Sequence, residues 1–214
     1  MSWFVRCSPL NWALYALESN LSFYGNLIKE SSTILKGVKC KNSPRNSATV
    51  ALMDLCYEHA TSISLLLEHK KFGSALGLYR SCVEAYIRGV WLFHCASDHD
   101  VVEKINTQKK WHSLSVLVAK LSEEQEEFKF LNQYVKGQVK NTLDSFTHGM
   151  SRQILNRFDG EKIKFRIKDE DIEFLEKEAC FFCLLAHATI AEVAVNTDVE
   201  KKILELFERM QKCV

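Results

Sequence analysis

The sequence predicts an all-α protein, an up-and-down bundle of about six to eight helices. Three observations predict it. Only two prolines are present, Pro9 and Pro44, so everything from Arg45 to Val214 lacks a residue that forbids helix. Apolar residues recur at helical spacing through most of the long segments. The glycine and proline punctuation that an all-β sandwich needs every ten residues or so is missing. At 214 residues the chain can bury a substantial core, and residues 1–214 read as a single helical-bundle domain.

Each element follows from its residues. Leu10–Lys36 carries Leu14, Leu17, Leu21, Tyr24, Leu27, Ile28 and Leu35 as a helical stripe. Lys39–Ser47 reads as a loop ending in a Ser47 N-cap, and a second helix runs to about His69 through Val50, Met53, Cys56, Ile63, Leu66 and Leu67. Phe72–Ala96 is apolar nearly all round, which places it at the centre of the bundle. Asp98–Asn106 reads as a short exposed helix and Trp111–Leu121 as another. Ser122-Glu123-Glu124-Gln125 reads as a capping box. It opens a helix that uses Phe128, Leu131, Val135, Val139, Leu143 and Phe146 and stops near Gly149. Met150–Arg157 is compatible with resumed helix, and Asp159-Gly160 is a turn. Lys162–Lys168 alternates charge with Ile163, Phe165 and Ile167, an extended connector or short hairpin arm. Asp169–Val195 is a long apolar helix and Asp198–Gln211 a closing amphipathic one, so residues 169–214 pack on the core as C-terminal helices.

Charge excludes some functions. Lys and Arg number 28 against 27 Asp and Glu, so no global field draws the chain to nucleic acid or an anionic membrane. Of the 8 cysteines, Cys56, Cys82, Cys95, Cys180 and Cys183 sit inside apolar helical runs, where free thiols behave as small hydrophobes. That usage fits a reducing cytoplasm, and Cys180-Phe-Phe-Cys183, with no second such pair, reads as core and not as a metal site. The N-terminus lacks the pattern of a signal peptide, and the longest uncharged apolar run, Ala179–Ala191, is too short to span a bilayer. No membrane, metal or cofactor is expected. P-loop, dinucleotide-binding, zincin and hydrolase signature strings are absent from the sequence.

The chemistry concentrates on the third helix. At about 100° per residue, Gly73, Gly77, Arg80, Glu84, Arg88 and Trp91 share a stripe about 80° wide on a helix otherwise lined with apolar residues. Charges taken into an interior cost several kcal/mol unless paired. One reading is an internal Arg–Glu–Arg network that fixes register, with the glycines admitting a neighbouring helix. The other is a polar groove in which two guanidiniums clamp a phosphate and Glu84 orients one of them. A second cluster is Asp144-Ser-Phe-Thr-His148-Gly149, followed by Arg152 and Gln153. With helix up to His148, Asp144 lies one turn before it, where it would hold the imidazole tautomer; the alternative is that His148 caps the last carbonyls. His59 and His187 read as hydrogen-bonded core histidines. Arg88 and His94 satisfy an arginine-to-histidine spacing of four to six residues. A chain of this composition yields about one such match by chance, and the pair lies about 120° apart on one helix, so it is not taken as catalytic.

The run from Ser74 to Trp91, with His59-Ala-Thr-Ser-Ile63 before it and His148-Gly149 and Gln153 after it, resembles an uncharacterised family of all-helical bacterial proteins. That family is similar to HEPN-like bundles, which include RNA-cleaving toxins, phage-abortive-infection proteins and nucleotide-binding modules. The resemblance spans about residues 50–155. It implies that Arg80, Glu84, Arg88 and His148 form one site, flanked by Trp91, Asp144, Arg152 and Gln153. In an RNA-cleaving member, Arg80 or Arg88 would stabilise the phosphorane charge and His148 would act as general acid or base. The expected ligand is a phosphate-bearing small molecule or RNA, in a stress or phage-defence role; a homodimer is an open alternative. The competing expectation is a non-catalytic interaction or oligomerisation module with a structural Arg–Glu–Arg network.

Overall fold

The computed structural model describes residues 22–107, 111–137, 141, 144, 154–159, 162–163 and 165–212. Its helices are α1 (Phe23–Ile34), α2 (Pro44–Glu68), α3 (Phe72–Cys95), α4 (Asp98–Thr107), α5 (Leu114–Glu124), α6 (Asn132–Val135), α7 (Asp169–Val193) and α8 (Thr197–Lys212). A 3-10 turn occupies Glu126–Leu131, and the two-residue strands β1 (Phe158–Asp159) and β2 (Lys162–Ile163) pair antiparallel. The all-α expectation holds, and the strand-like alternation after residue 162 is one arm of this small hairpin.

Local chemistry sets the helix ends. The Ser22 hydroxyl accepts from the Gly25 amide at 3.0 Å and starts α1. Ser43 accepts from the Asn46 amide at 3.2 Å, so α2 begins with Pro44 in its first turn, ahead of the expected Ser47 cap. Proline is preorganised for that position because the amide it lacks would be unpaired there. Ser97 and Asp100 form a reciprocal box at the head of α4: the Asp100 amide donates to Ser97 Oγ and the Ser97 amide to Asp100 Oδ2, each at 3.1 Å. The box expected at Ser122 does not form. Its hydroxyl donates instead to the Val118 carbonyl at 2.8 Å, inside α5, and the chain turns only at the extended Gln125. The long helix expected after it is correspondingly broken. Residues Glu126–Leu131 wind as 3-10, α6 lasts four residues and stops at the extended Lys136 (φ −136°, ψ 156°), and the described residues 141 and 144 are helical again. Leu14, Leu17, Leu21, Val139, Leu143, Phe146 and Gly149 lie outside the described residues.

Helix α3 lies against α2 along its length and also packs on α5 and α7, which makes it the bundle's axis as its composition predicts. A Cβ on Gly89 would stand 2.0 Å from Met53 Cε and 3.3 Å from Leu52 Cβ, so this glycine lets α2 approach. Phe182 of α7 is fully buried, with the rings of Tyr134, Tyr86, Phe181 and Tyr79 at 5.0, 5.5, 5.6 and 6.3 Å. Cys56 and Cys82 meet across α2 and α3 with sulfurs 3.6 Å apart, both free thiols. By length and composition alone α2 could cross a membrane; here its Met53, Cys56, Ala60 and Ile63 are fully buried in the bundle. Outside the bundle, the hairpin exposes Phe158 and Ile163, and Phe165 after it rests on Phe72 at 6.2 Å.

Candidate functional site

Among the described residues, the α3 stripe holds two ion pairs. Glu84 and Arg88 are neighbours at i,i+4 on one face; Arg88 Nη2 and Nε both donate to Glu84 Oε1, the latter at 3.1 Å. Arg80 pairs with Asp144, brought in from 64 positions downstream. Asp144 is therefore the partner of an arginine; the role expected for it beside His148 involves a residue outside those described. Side chains of Arg80, Asp144 and Arg88 are each 22% exposed and Glu84 31%, so the stripe is lodged at the bundle surface and is not sealed. His148, Arg152 and Gln153 lie outside the described residues.

Toward its C-terminal end the stripe becomes aromatic. Trp91, 4% exposed, meets Trp111 edge to face at 6.4 Å and His112 at 6.2 Å. The Arg88 guanidinium carbon lies 5.5 Å from the centroid of the Trp111 ring, a cation–π distance. From α4, Lys104 Nζ stands 5.9 Å from the Trp91 ring and 5.8 Å from that of Trp111. Sequence reasoning named Trp91 and missed Lys104, Trp111 and His112. The available signal was the helical register of α4 with a tryptophan just beyond it, which carries no address for the partner.

A second polar centre lies deeper. Tyr79 and Tyr134 both donate to Glu178 Oε2, at 2.5 and 2.7 Å. Burial, with the Glu178 charge close by, pushes both phenols well above their ordinary range, so they stay protonated donors. This joins α3, α6 and α7 at one carboxylate and was invisible in the sequence, since 99 residues separate Tyr79 from Glu178.

The histidines divide by burial. His187 is fully buried, and its Nδ1 lies 2.9 Å from Ser31 Oγ. Ser31 gives its one hydroxyl hydrogen to the Ile28 carbonyl at 2.8 Å, so His187 Nδ1 donates to Ser31 and the imidazole is neutral. Burial lowers its pKa to about 3. His94 packs on Phe128 at 5.1 Å with Nδ1 3.3 Å from Gln125 Nε2, and burial lowers its pKa as well. Burial likewise lowers that of His59. Cys180 and Cys183 are buried free thiols, the former pushed up to about 12 by burial. Among the described residues no group of three His, Cys, Asp or Glu side chains has the spacing to hold a metal ion.

One comparison bears on this arrangement. A family model matches residues 53–214, a span that takes in α3, both ion pairs, the tryptophan cluster and Glu178. The chain belongs to DUF6988, a family of unknown function. No curated protein and no solved structure matches the chain. The family span opens within α2, at Met53, the residue that faces Gly89, and so leaves out α1. The whole candidate site therefore lies in the part of the chain that defines the family.

Proposed function

We propose that this DUF6988 protein is a HEPN-like, cytoplasmic bacterial protein that binds a phosphate-bearing ligand, with RNA as the polymer, along the Arg80–Arg88 face of α3. The observation that carries the reading is the pair of arginines two turns apart on one face. Each is steered by a single carboxylate and each is partly exposed. Eight residues of helix separate them by about 12 Å, a spacing suited to separate phosphates of one chain. A guanidinium held by one carboxylate keeps further N–H groups in a fixed fork, the geometry that phosphate oxygens match. A stress or phage-defence role belongs to the same proposal.

The test is RNA binding by the full chain across a salt series, for wild type, Arg80→Ala and His148→Ala. Wild type is expected to bind. Arg80→Ala should bind more weakly, with a salt slope shallower by about 0.7 for the lost phosphate contact. Cleavage by wild type that disappears in His148→Ala while binding persists would assign a nuclease. No binding by wild type at any salt overturns the proposal.

The second reading, a non-catalytic interaction module, is favoured by one observation: two carboxylates already balance the two arginines. On that reading Arg80→Ala removes an ion pair and lowers stability by about 1 kcal/mol, with no ligand bound by either protein.

A further inference from the structure

Three groups at the C-terminal end of the stripe can only donate hydrogen bonds. Two of Arg88's nitrogens are committed to Glu84, but Nη1 is buried with no hydrogen-bond partner. Trp91 is 4% exposed, and its Nε1 is also buried without a partner. The two residues are three apart on α3, hence neighbours on one helix face. A buried donor that has given up water and gained no acceptor is costly, and two side by side are unusual in a native interior. The third is Lys104 of α4, a half-buried side chain whose ammonium stands over both indoles. Indole, guanidinium and ammonium have no acceptor to offer one another. Arg88 Nη1 and Trp91 Nε1 are therefore short of acceptors, while the Lys104 ammonium beside them is within electrostatic reach of Asp100, one turn earlier on α4. Arg80 differs, since a carboxylate from another segment already occupies it.

We propose that the ligand's anchoring phosphoryl group is received at this end of the stripe, by Arg88 Nη1, Trp91 Nε1 and Lys104 Nζ. This rests on the phosphate-binding reading above and assigns its anchor. Phosphoryl oxygens supply the acceptors that Arg88 Nη1 and Trp91 Nε1 lack and a further anionic partner for Lys104, and Trp111 walls the site beside Arg88 and Lys104. Lys104, long and flexible, is the side chain that swings to admit the group. Arg80 with Asp144 then guides the remainder of the ligand.

The experiment uses the full ¹⁵N-labelled chain, titrated with inorganic phosphate and separately with a single-stranded oligoribonucleotide. The Trp91 indole N–H resonance, identified by its loss in Trp91→Phe, is expected to move downfield and saturate. Calorimetric affinity should fall about tenfold or more in Trp91→Phe and Lys104→Gln and stay within about threefold in Lys212→Gln, an exposed position on α8. Trp91→Phe keeps the ring and removes only the donor, and Lys104 is half-buried, so Lys104→Gln serves if the first variant folds poorly. Binding of phosphate or RNA that leaves the indole resonance unmoved and Lys104→Gln unaffected overturns this anchor and leaves the phosphate-binding reading standing. No binding of either probe by wild type overturns both.

Discussion

His187 shows how much one side chain can ask of the interior. Its ring donates to Ser31 and lies against Tyr57, with centroids 5.1 Å apart, entirely out of solvent. Because burial holds its folded pKa near 3, against an ordinary value of 6.5, the unfolded chain binds the proton more readily. The stability tied to this group is therefore complete above pH 6.5 and is lost progressively as pH falls toward 3. Between pH 7 and pH 5 the loss should reach about 2 kcal/mol. His59 and His94 act in the same direction. Asp54, Glu176 and Glu192 oppose it, since burial raises their pKa values and favours their protonated forms in the fold. Urea unfolding of wild type and His187→Gln across that pH range checks the assignment, and the variant should show the flatter profile. At this scale the sequence was legible where partners are close. Glu84 and Arg88 declare themselves by being four apart, and the core reading of His187 needed only its apolar helix. Asp144 as the partner of Arg80, and Glu178 as the acceptor for Tyr79, were not legible, because nothing local selects one distant carboxylate from 27 acidic residues.

Helix ends carry the next lesson. Both α2 and α7 finish in the same doubly bonded turn. The Lys70 amide donates to the Leu67 carbonyl and Lys71 to Leu66, and the same pattern links Val195 to Glu192 and Asn196 to Ala191. That turn needs a left-handed residue, and the chain uses Lys70 (φ 56°) and Val195 (φ 53°) where glycine is usual. A β-branched residue is the less suited of the two. Val195 is 87% exposed, so replacing it removes no packing. Val195→Gly should stabilise the fold by about 1 kcal/mol and raise Tm by about 2–4 °C, readable by calorimetry. These ends were located to within a few residues by the fading apolar stripe, but their chemistry was not. Serine followed three positions later by an acidic or amide residue occurs at both Ser97 and Ser122, and only the first becomes a cap. At Ser122 the apolar face of α5 continues through Leu121, and the hydroxyl turns back to its own helix.

At the scale of the whole molecule, proximity of α2 and α3 depends on a position with no side chain. Gly89→Ala adds a methyl that displaces only the flexible end of Met53 and gains helix propensity, so the two effects should nearly cancel. Gly89→Leu cannot be accommodated that way, because Leu52 Cβ is also close, and should cost about 2–3 kcal/mol in urea denaturation. The fold class followed from composition and periodicity because proline scarcity and helical spacing are properties of every segment. The packing order was not legible: α7, far down the chain, lies against α1, α2 and α3, and apolar stripes of similar chemistry do not specify which meets which.

The thiols at that packing centre have a kinetic meaning. Cys56, Cys82, Cys180 and Cys183 are buried, and burial also pushes the thiols of Cys56, Cys180 and Cys183 upward, so these three are shielded and protonated at neutral pH. Among the described cysteines, Cys40 and Cys95 are half-buried and meet an alkylating reagent before these four. Slow modification of the inner four must then wait for α2, α3 and α7 to part, which makes the rate of their labelling a clock for the opening of the core.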